Sequence, residues 1–522
     1  MFVHSAHLVG RSGVSRIKYT TNIVLILTLV LTLALMSFSV SAQDASGGSF
    51  AVGVEAPVNL DPATGPNDQE ALFNRMVFDY LVDITADSQI EPALATDWTI
   101  SDDGLTYTFT LREDVTFHDG SSFGPEDVVF TFERLQELES PALNLLGAFT
   151  VEEGEGNTVV FNISAPNADF LYGTGQRFAA ILSSEDTAFD TGVDANGTGA
   201  FMVSEYLPGD RAVFMANPDY WMEGAPMLDE VTHIYIEDKN AQVDALLAGT
   251  VDYIFKLSLD QVQRLADNDF VTTLQVATNQ HPVIRIHADE GSLAEDVRMR
   301  QAFKLATDRD QINEFLWEGR ATVGNNNPIG PAYGPFYDPS ISEPAYDPEA
   351  ACALIQEVTG QERISVTLRG PDAFGGQYAD MATLIEQQWE AACIDTEIEI
   401  TPEGVYYSDG TWLETEVGIT GWGSRPVPQS YLVEAYVPDA SFNEARWNDE
   451  EVGELVAEAA STADTEERAA IYSQIAEIFA ERGPIIVPFF APMLGAVSNR
   501  TEGLVMNPFP GLTDLRMVSV SE

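Results

Sequence analysis

At 522 residues, with 45% hydrophobic and 10% aromatic side chains, the chain can bury a large core and is expected to form two or more lobes. It carries 82 acidic and 25 basic residues, a formal net charge of −57, which disfavours nucleic acid and anionic membrane surfaces as partners. The acids are spread along the chain with no run of five or six like charges, which reads as a solvated surface suited to salty surroundings.

The first element in chain order is a targeting segment. Arg11, Arg16 and Lys18 precede an apolar run from Ile23 to about Met36, and Val40 and Ala42 are small residues before a cut. Residues 1–42 therefore read as a secretory signal peptide. A membrane anchor would need about 20 uninterrupted apolar residues, and this run is shorter and broken by Thr28 and Thr32. No cysteine follows it to carry a lipid, so the expected compartment is a Gram-negative periplasm. Cleavage leaves 22 basic against 82 acidic residues, a net charge of −60.

Strand-like alternation opens the mature chain at "SFAVGVEAPVNLDP". It returns in "DWTISDDGLTYTFTLREDVTFHDG", where Tyr107, Phe109 and Leu111 alternate with threonines. Gly124-Pro125-Glu126-Asp127 reads as a helix start, and Val129, Phe132 and Leu135 fall on one face of the helix that follows. Strands recur from "NGTGAFMVSEYLPGDRAVFMANPDYW". The helix "NAQVDALLAG" stops at Gly249, and "EDVRMRQAFKLATD" spaces Val297, Ala302, Phe303 and Ala306 for burial. The helix "PEAACALIQEVTG", the strand "RISVTLRG", the helix "QYADMATLIEQQWEAA" and the strand "IDTEIEI" alternate as in an α/β lobe. Two more helices precede a hydrophobic strand, "PIIVPFF".

Signatures of chemistry are weak. "GSSFG" at 120–124 matches the nucleophile pattern G-x-S-x-G, which would make Ser122 the nucleophile of an exported hydrolase, but Gly124-Pro125 is accounted for by the helix it opens. The mature histidines His118, His233, His281 and His287 form no metal-ligating pair, so neither metal nor cofactor is expected. The two cysteines, Cys352 and Cys393, are expected to bridge in an oxidising compartment, on the apolar sides of two helices. Two separate buried thiols are the alternative.

A family resemblance then becomes specific. The stretch "LATDWTISDDGLTYTFTLREDVTFHDGSSFGPEDVVFTFERL" resembles the signature of family 5, the peptide/nickel/opine family of periplasmic solute-binding proteins. Four further stretches match in order: "GTGAFMVSEYLPGDRAVFMANPDYWMEGAPMLDEV", "LLAGTVDY", "VRMRQAFKLATDRDQI" and "YDPEAACALIQEVTG". The resemblance implies an α/β, two-lobed periplasmic binding protein fold (class II, cluster C-like). Lobe I would be residues 43–284 and 490–522 with a small subdomain at about 86–195, and lobe II residues 285–489. It also implies a monomeric, non-enzymatic receptor that traps a small peptide-like solute between the lobes and delivers it to the membrane permease of an ABC importer. An anionic opine, a sugar-phosphate or a metal chelate is the alternative ligand.

The resemblance also suggests where the ligand lies. Dipeptide receptors of this family hold the ligand's ammonium with an aspartate in a "GW…DP" loop. The corresponding stretch, "GWGSRPVPQSYL" (421–432), keeps Trp422 but has Arg425-Pro426 or Val427-Pro428 where the aspartate would be. A planar guanidinium suits a carboxylate, sulfonate or phosphate. Arg425, with Ser424 and Trp422 beside it, is therefore the leading candidate for ligand contact. Two readings compete with it: a structural pairing of Arg425 with a neighbouring acid, and a place for Trp422 in the core. Arg369 and Phe374 in "LRGPDAF" form a second candidate, because Arg369 is expected to follow a strand and open a Gly/Pro loop. Asn443, Arg446 and Trp447 in "FNEARWND" lie where the family often lines its cleft. Asn59 and Asp61 in "NLDP" and Arg177 in "GTGQRF" are candidates from lobe I.

Overall fold

Phe50, Val52 and Val54 alternate along Ser49–Val54, and the strand they form turns all three into one core. The computed structural model of the protein describes residues 47–65, 67–190, 192–373, 376–408, 410–438 and 440–521. The expected signal peptide, 1–42, lies outside the described residues. Ser49–Val54 belongs to a seven-stranded sheet ordered Val271–Val276, Met493–Ser498, Tyr253–Phe255, Ser49–Val54, Glu230–Tyr235, Arg211–Ala216, Phe201–Leu207. It runs parallel to both of its neighbours, and the other pairs are antiparallel.

A separate four-stranded antiparallel sheet, Ala95–Ile100, Thr106–Leu111, Thr158–Ile163, Phe149–Glu153, has its own aromatic core. Tyr107, Phe109 and Leu111 face inward as expected. Phe132 and Phe161 meet edge to face with ring centroids 4.8 Å apart. Helix Pro125–Glu137 begins where its sequence signals place it. The Asp127 carboxylate accepts the Gly124 amide at 2.9 Å. Its buried face uses Val128, Phe132 and Leu135. Val129 is only half-buried, because four-residue spacing puts Val128 over the turn beneath Phe132.

The five-stranded sheet is ordered Ile394–Pro402, Ile364–Asp372, Val417–Trp422, His281–Ile286, Ile485–Ile486. Ile364–Asp372 and Ile394–Pro402 are parallel and joined by helix Gln377–Ala391, as the β-α-β alternation implied. The strand does not end before Arg369, as the sequence suggested. Parallel pairing continues through Gly370 and Pro371 until Asp372 stands opposite Pro402. Cys352 on helix Pro348–Thr359 is bridged to Cys393, with Cα atoms 5.2 Å apart. Cys393 is not on a helix: it follows Gln377–Ala391 in a turn, at φ 65°. Likewise "PIIVPFF" is not one strand. Pro488, lacking an amide hydrogen, separates Ile485–Ile486 from Phe489–Phe490, and the two pieces join different sheets.

The chain crosses between the seven- and five-stranded sheets twice, between Val276 and His281 and between Ile486 and Met493. The crossings are hydrogen-bonded to each other: Thr278 Oγ1 donates to the Ala491 carbonyl at 2.7 Å, and the Ala491 amide to the Gln280 carbonyl at 2.8 Å. The fold is that of a two-lobed periplasmic binding protein. Among the described residues no helix is long and apolar enough to cross a membrane.

Candidate functional site

The stretch 421–432 is a loop only at its centre. Strand Val417–Trp422 runs into it, and helix Pro428–Ala435 starts with proline at its first position. The five residues between are held firmly. Tyr333 Oη donates to the Arg425 carbonyl at 3.0 Å, and Tyr431 Oη to the Gly423 carbonyl at 2.8 Å. The Asn279 amide, in one of the two crossings, donates to Ser424 Oγ at 3.2 Å. Trp422 is buried in the core beneath, its Nε1 donating to Glu444 Oε1 at 3.0 Å.

Arg425 emerges from this loop half-exposed. Its guanidinium lies 5.8 Å from the Trp422 ring centroid and 5.9 Å from that of Tyr431, and Nη2 donates to Glu434 Oε2 at 3.2 Å. The loop lines a cavity of about 350 Å³ whose walls include Ser424, Arg425, Ser430 and Glu434 on one side. Asn144, Gln176 and Arg177, far from that loop in sequence, line it as well. Two arginines separated by almost 250 positions in the sequence thus line one space. Arg177 Nη2 donates to Asp68 Oδ1 at 3.0 Å, and Lys256 pairs with the same carboxylate. Burial pushes the Asp68 carboxyl up, but these two cations hold it below its usual range. Gln176, buried to 9% exposure, also lines the cavity, and its Nε2 has no hydrogen-bond partner among the described residues.

His281 sits beneath the loop, between Tyr431 and Phe490, its Nδ1 2.8 Å from the Asn279 carbonyl. Burial lowers its pKa to about 4, and the Arg425 charge adds to the effect. The imidazole is therefore neutral near pH 7. The His118 ring lies 2.9 Å from the Gly199 carbonyl. Among the described residues no three His, Cys, Asp or Glu side chains are arranged to hold a metal.

Of the residues singled out in the sequence, Arg177, Ser424 and Arg425 come together at this cavity and Trp422 lies in the core beneath it, while the other described ones lie elsewhere. Arg369 pairs with Glu399 at 2.5 Å on a different, acidic groove of about 610 Å³. Asn59 and Asp61 stabilise a turn through Asn59 Nδ2 to Thr64 Oγ1 at 3.0 Å. Asp61 also accepts Arg134 Nη1 at 2.9 Å. Asn443 closes a turn onto both the amide and the carbonyl of Trp447, each at 3.0 Å. Trp447 packs on Phe479, and Arg446 pairs with Glu414. Phe374 lies outside the described residues. Ser122 is exposed, in a β-bridge with Thr116 ahead of helix Pro125–Glu137. Gln176 and Glu434 were not singled out in the sequence. Gln176 adjoins Arg177 in "GTGQRF", whereas nothing in the local pattern marks Glu434.

Comparison with known proteins agrees with this architecture. The chain is 28% identical over 510 residues to heme-binding protein A of Haemophilus influenzae, covering 90% of this chain and 92% of that protein. It is 25% identical over 472 residues to the dipeptide-binding protein of Escherichia coli, covering 84% and 87%. The structure of HbpA2 from Haemophilus parasuis superposes with a TM-score of 0.80 at 25% identity, over 91% of this chain and 100% of that one. The sequence pattern of the bacterial extracellular solute-binding proteins, family 5, matches residues 89–444, over half of the chain, and the chain belongs to that family.

Proposed function

We propose that this protein is a periplasmic receptor of an ABC importer, which captures a small peptide-like solute bearing an anionic group and delivers it to membrane permease subunits. It acts as a monomer and performs no chemistry. Lobe I comprises 43–284 and 490–522, with the subdomain at about 86–195, and lobe II comprises 285–489. The observation that carries the reading is that Arg177 and Arg425 reach one cavity from different parts of the fold. An anion held by both would draw the two walls together, so binding and closure would be one event. The cavity's volume suits a small solute. The free Gln176 amide would donate to a peptide carbonyl. The E. coli relative is named for dipeptides. The charged, apolar and small-residue succession of residues 1–42 and the Cys352–Cys393 bridge both favour an exported, oxidising setting.

Native mass spectrometry of the protein purified from the periplasm tests the reading. One anionic small solute per chain, released on denaturation, is expected. Turnover of ester or peptide substrates abolished by Ser122→Ala would overturn it in favour of a hydrolase. A wholly anionic solute is the second reading, favoured by the two arginines in one wall system.

A further inference from the structure

The two buried tyrosines that hold the Arg425 loop are not equivalent. Tyr333, on the short helical turn Pro331–Phe336, faces the Arg425 and Val427 carbonyls at 3.0 and 3.3 Å, both within the loop. Tyr431, on helix Pro428–Ala435, faces one carbonyl in the loop and one outside it. Its Oη lies 2.8 Å from the Gly423 carbonyl and 2.7 Å from that of Asn279, in the crossing between Val276 and His281. A phenol has one proton to donate, and burial raises the Tyr431 pKa, so that proton stays in place. Two carbonyls on different segments therefore compete for it. His281, in the tautomer with its proton on Nδ1, donates to the Asn279 carbonyl at 2.8 Å, so that acceptor keeps a partner when Tyr431 turns to Gly423. The Asn279 amide meets the loop directly, at Ser424 Oγ. Both polar backbone atoms of Asn279 thus end on the Arg425 loop, the amide at once and the carbonyl through Tyr431. Its neighbours Thr278 and Gln280 both bond to Ala491 of the second crossing.

Resting on the reading of this cavity as a solute site, the geometry points to Tyr431 as a positioning residue that couples capture at Arg425 to movement of the crossing. Lobe closure turns on the crossings, so Asn279 shifts when the lobes move. A small shift decides which carbonyl keeps the Tyr431 proton, because hydrogen bonds weaken steeply as their geometry departs from the optimum. Loop and crossing are thereby linked. A solute anion that fixes Arg425 also fixes Gly423 and Ser424, and through them it favours one placement of Asn279. Tyr333 makes the same kind of bond without touching the crossing, so it holds the loop only.

The test compares Tyr431→Phe with Tyr333→Phe, which each remove one buried hydroxyl from the same loop. The mature protein is freed of retained solute by unfolding and refolding, then saturated with an equimolar mixture of dipeptides. Small-angle scattering reads the contraction of the chain on binding, and native mass spectrometry reads how fast retained dipeptides wash out. The wild-type chain is expected to contract and to release slowly. Tyr431→Phe should retain dipeptides but contract less and release them about tenfold faster, since such changes fall mostly on the off-rate. Tyr333→Phe should contract like the wild type and release within about twofold of it. Ser424→Ala, which cuts the other bond to Asn279, should act like Tyr431→Phe and decides the matter if that variant does not fold. Equal effects of Tyr431→Phe and Tyr333→Phe overturn the coupling, because both hydroxyls then merely firm the loop, and leave the solute reading standing. So does a Tyr431→Phe chain that contracts and releases like the wild type, or a wild-type chain that binds without contracting. A wild-type chain that retains no dipeptide overturns the peptide-like reading and, with it, this one.

Discussion

Asp169 and Arg468 flank different cores, yet their side chains meet in a two-contact ion pair, 2.7 Å at each contact, with 4% and 3% of their surfaces exposed. Asp169 precedes helix Phe170–Gly175 beside the four-stranded sheet, and Arg468 stands on helix Thr465–Arg482. Next to them the Ala168 amide donates to the Ala460 carbonyl at 2.8 Å. A buried pair adds little net stability, but removing one partner strands the other charge. Arg468→Met should therefore cost about 3–5 kcal/mol in urea unfolding. Asp169→Asn combined with Arg468→Met should regain most of that loss, and equal losses in the single and double variants would refute the pairing.

Acid should destabilise the fold partly through His233. Its ring is buried against Phe214, 4.7 Å between centroids, its Nε2 has no hydrogen-bond partner among the described residues, and burial lowers its pKa to about 3. Because the folded value lies below the unfolded one, the unfolded chain takes up the proton first. The contribution is whole above about pH 6.5 and falls by roughly 1.4 kcal/mol per pH unit as pH drops toward the folded value. His233→Leu should flatten the stability–pH slope between pH 6 and 4, measured by denaturant midpoints. An unchanged slope would show that the ring gains a proton without leaving its site.

The Cys352–Cys393 bridge closes a separation of 41 residues. On the chain-entropy account it contributes on the order of 4 kcal/mol. Replacing both cysteines by serine should lower unfolding stability by about that amount. Solute affinity should not change, since neither cysteine lines the cavity at Arg425.

Salt should stabilise the protein. With 25 basic against 82 acidic residues, repulsion exceeds what local ion pairs can offset. The melting temperature should rise between dilute buffer and molar sodium chloride, and a flat response would mean the charges are locally compensated.

The elements legible in the sequence are those with local causes. Gly124-Pro125 and Asp127 mark the start of helix Pro125–Glu137, and the alternation of Tyr107, Phe109 and Leu111 marks a strand. The family motifs made the two-lobed fold legible as well. Helices Asp68–Val77, Arg309–Trp317 and Pro428–Ala435 were not recognised, the last because its proline reads as part of a loop. At the site, Arg425 stood out as a scarce cation on a Gly/Pro-rich stretch. Glu434 could not stand out among 82 acids, because what distinguishes it is a cavity assembled from segments far apart in sequence. Asn59, Asp61 and Asn443 attract notice for a related reason: the residue types that bind ligands also close turns, and here each has a partner within five residues.

The most direct test of the account is calorimetric titration of the solute recovered from the native protein into the wild-type chain and Arg425→Ala. Arg425 is half-exposed and makes one bond to Glu434, so its removal should leave the melting temperature almost unchanged. Affinity should fall by roughly 2–5 kcal/mol, the cost of truncating one partner of a desolvated charge pair. Arg425→Lys should restore only part of it, because an ammonium cannot reproduce a planar two-pronged contact. Affinity in Arg425→Ala equal to that of the wild type would contradict the claim that this cavity holds the ligand's anionic group.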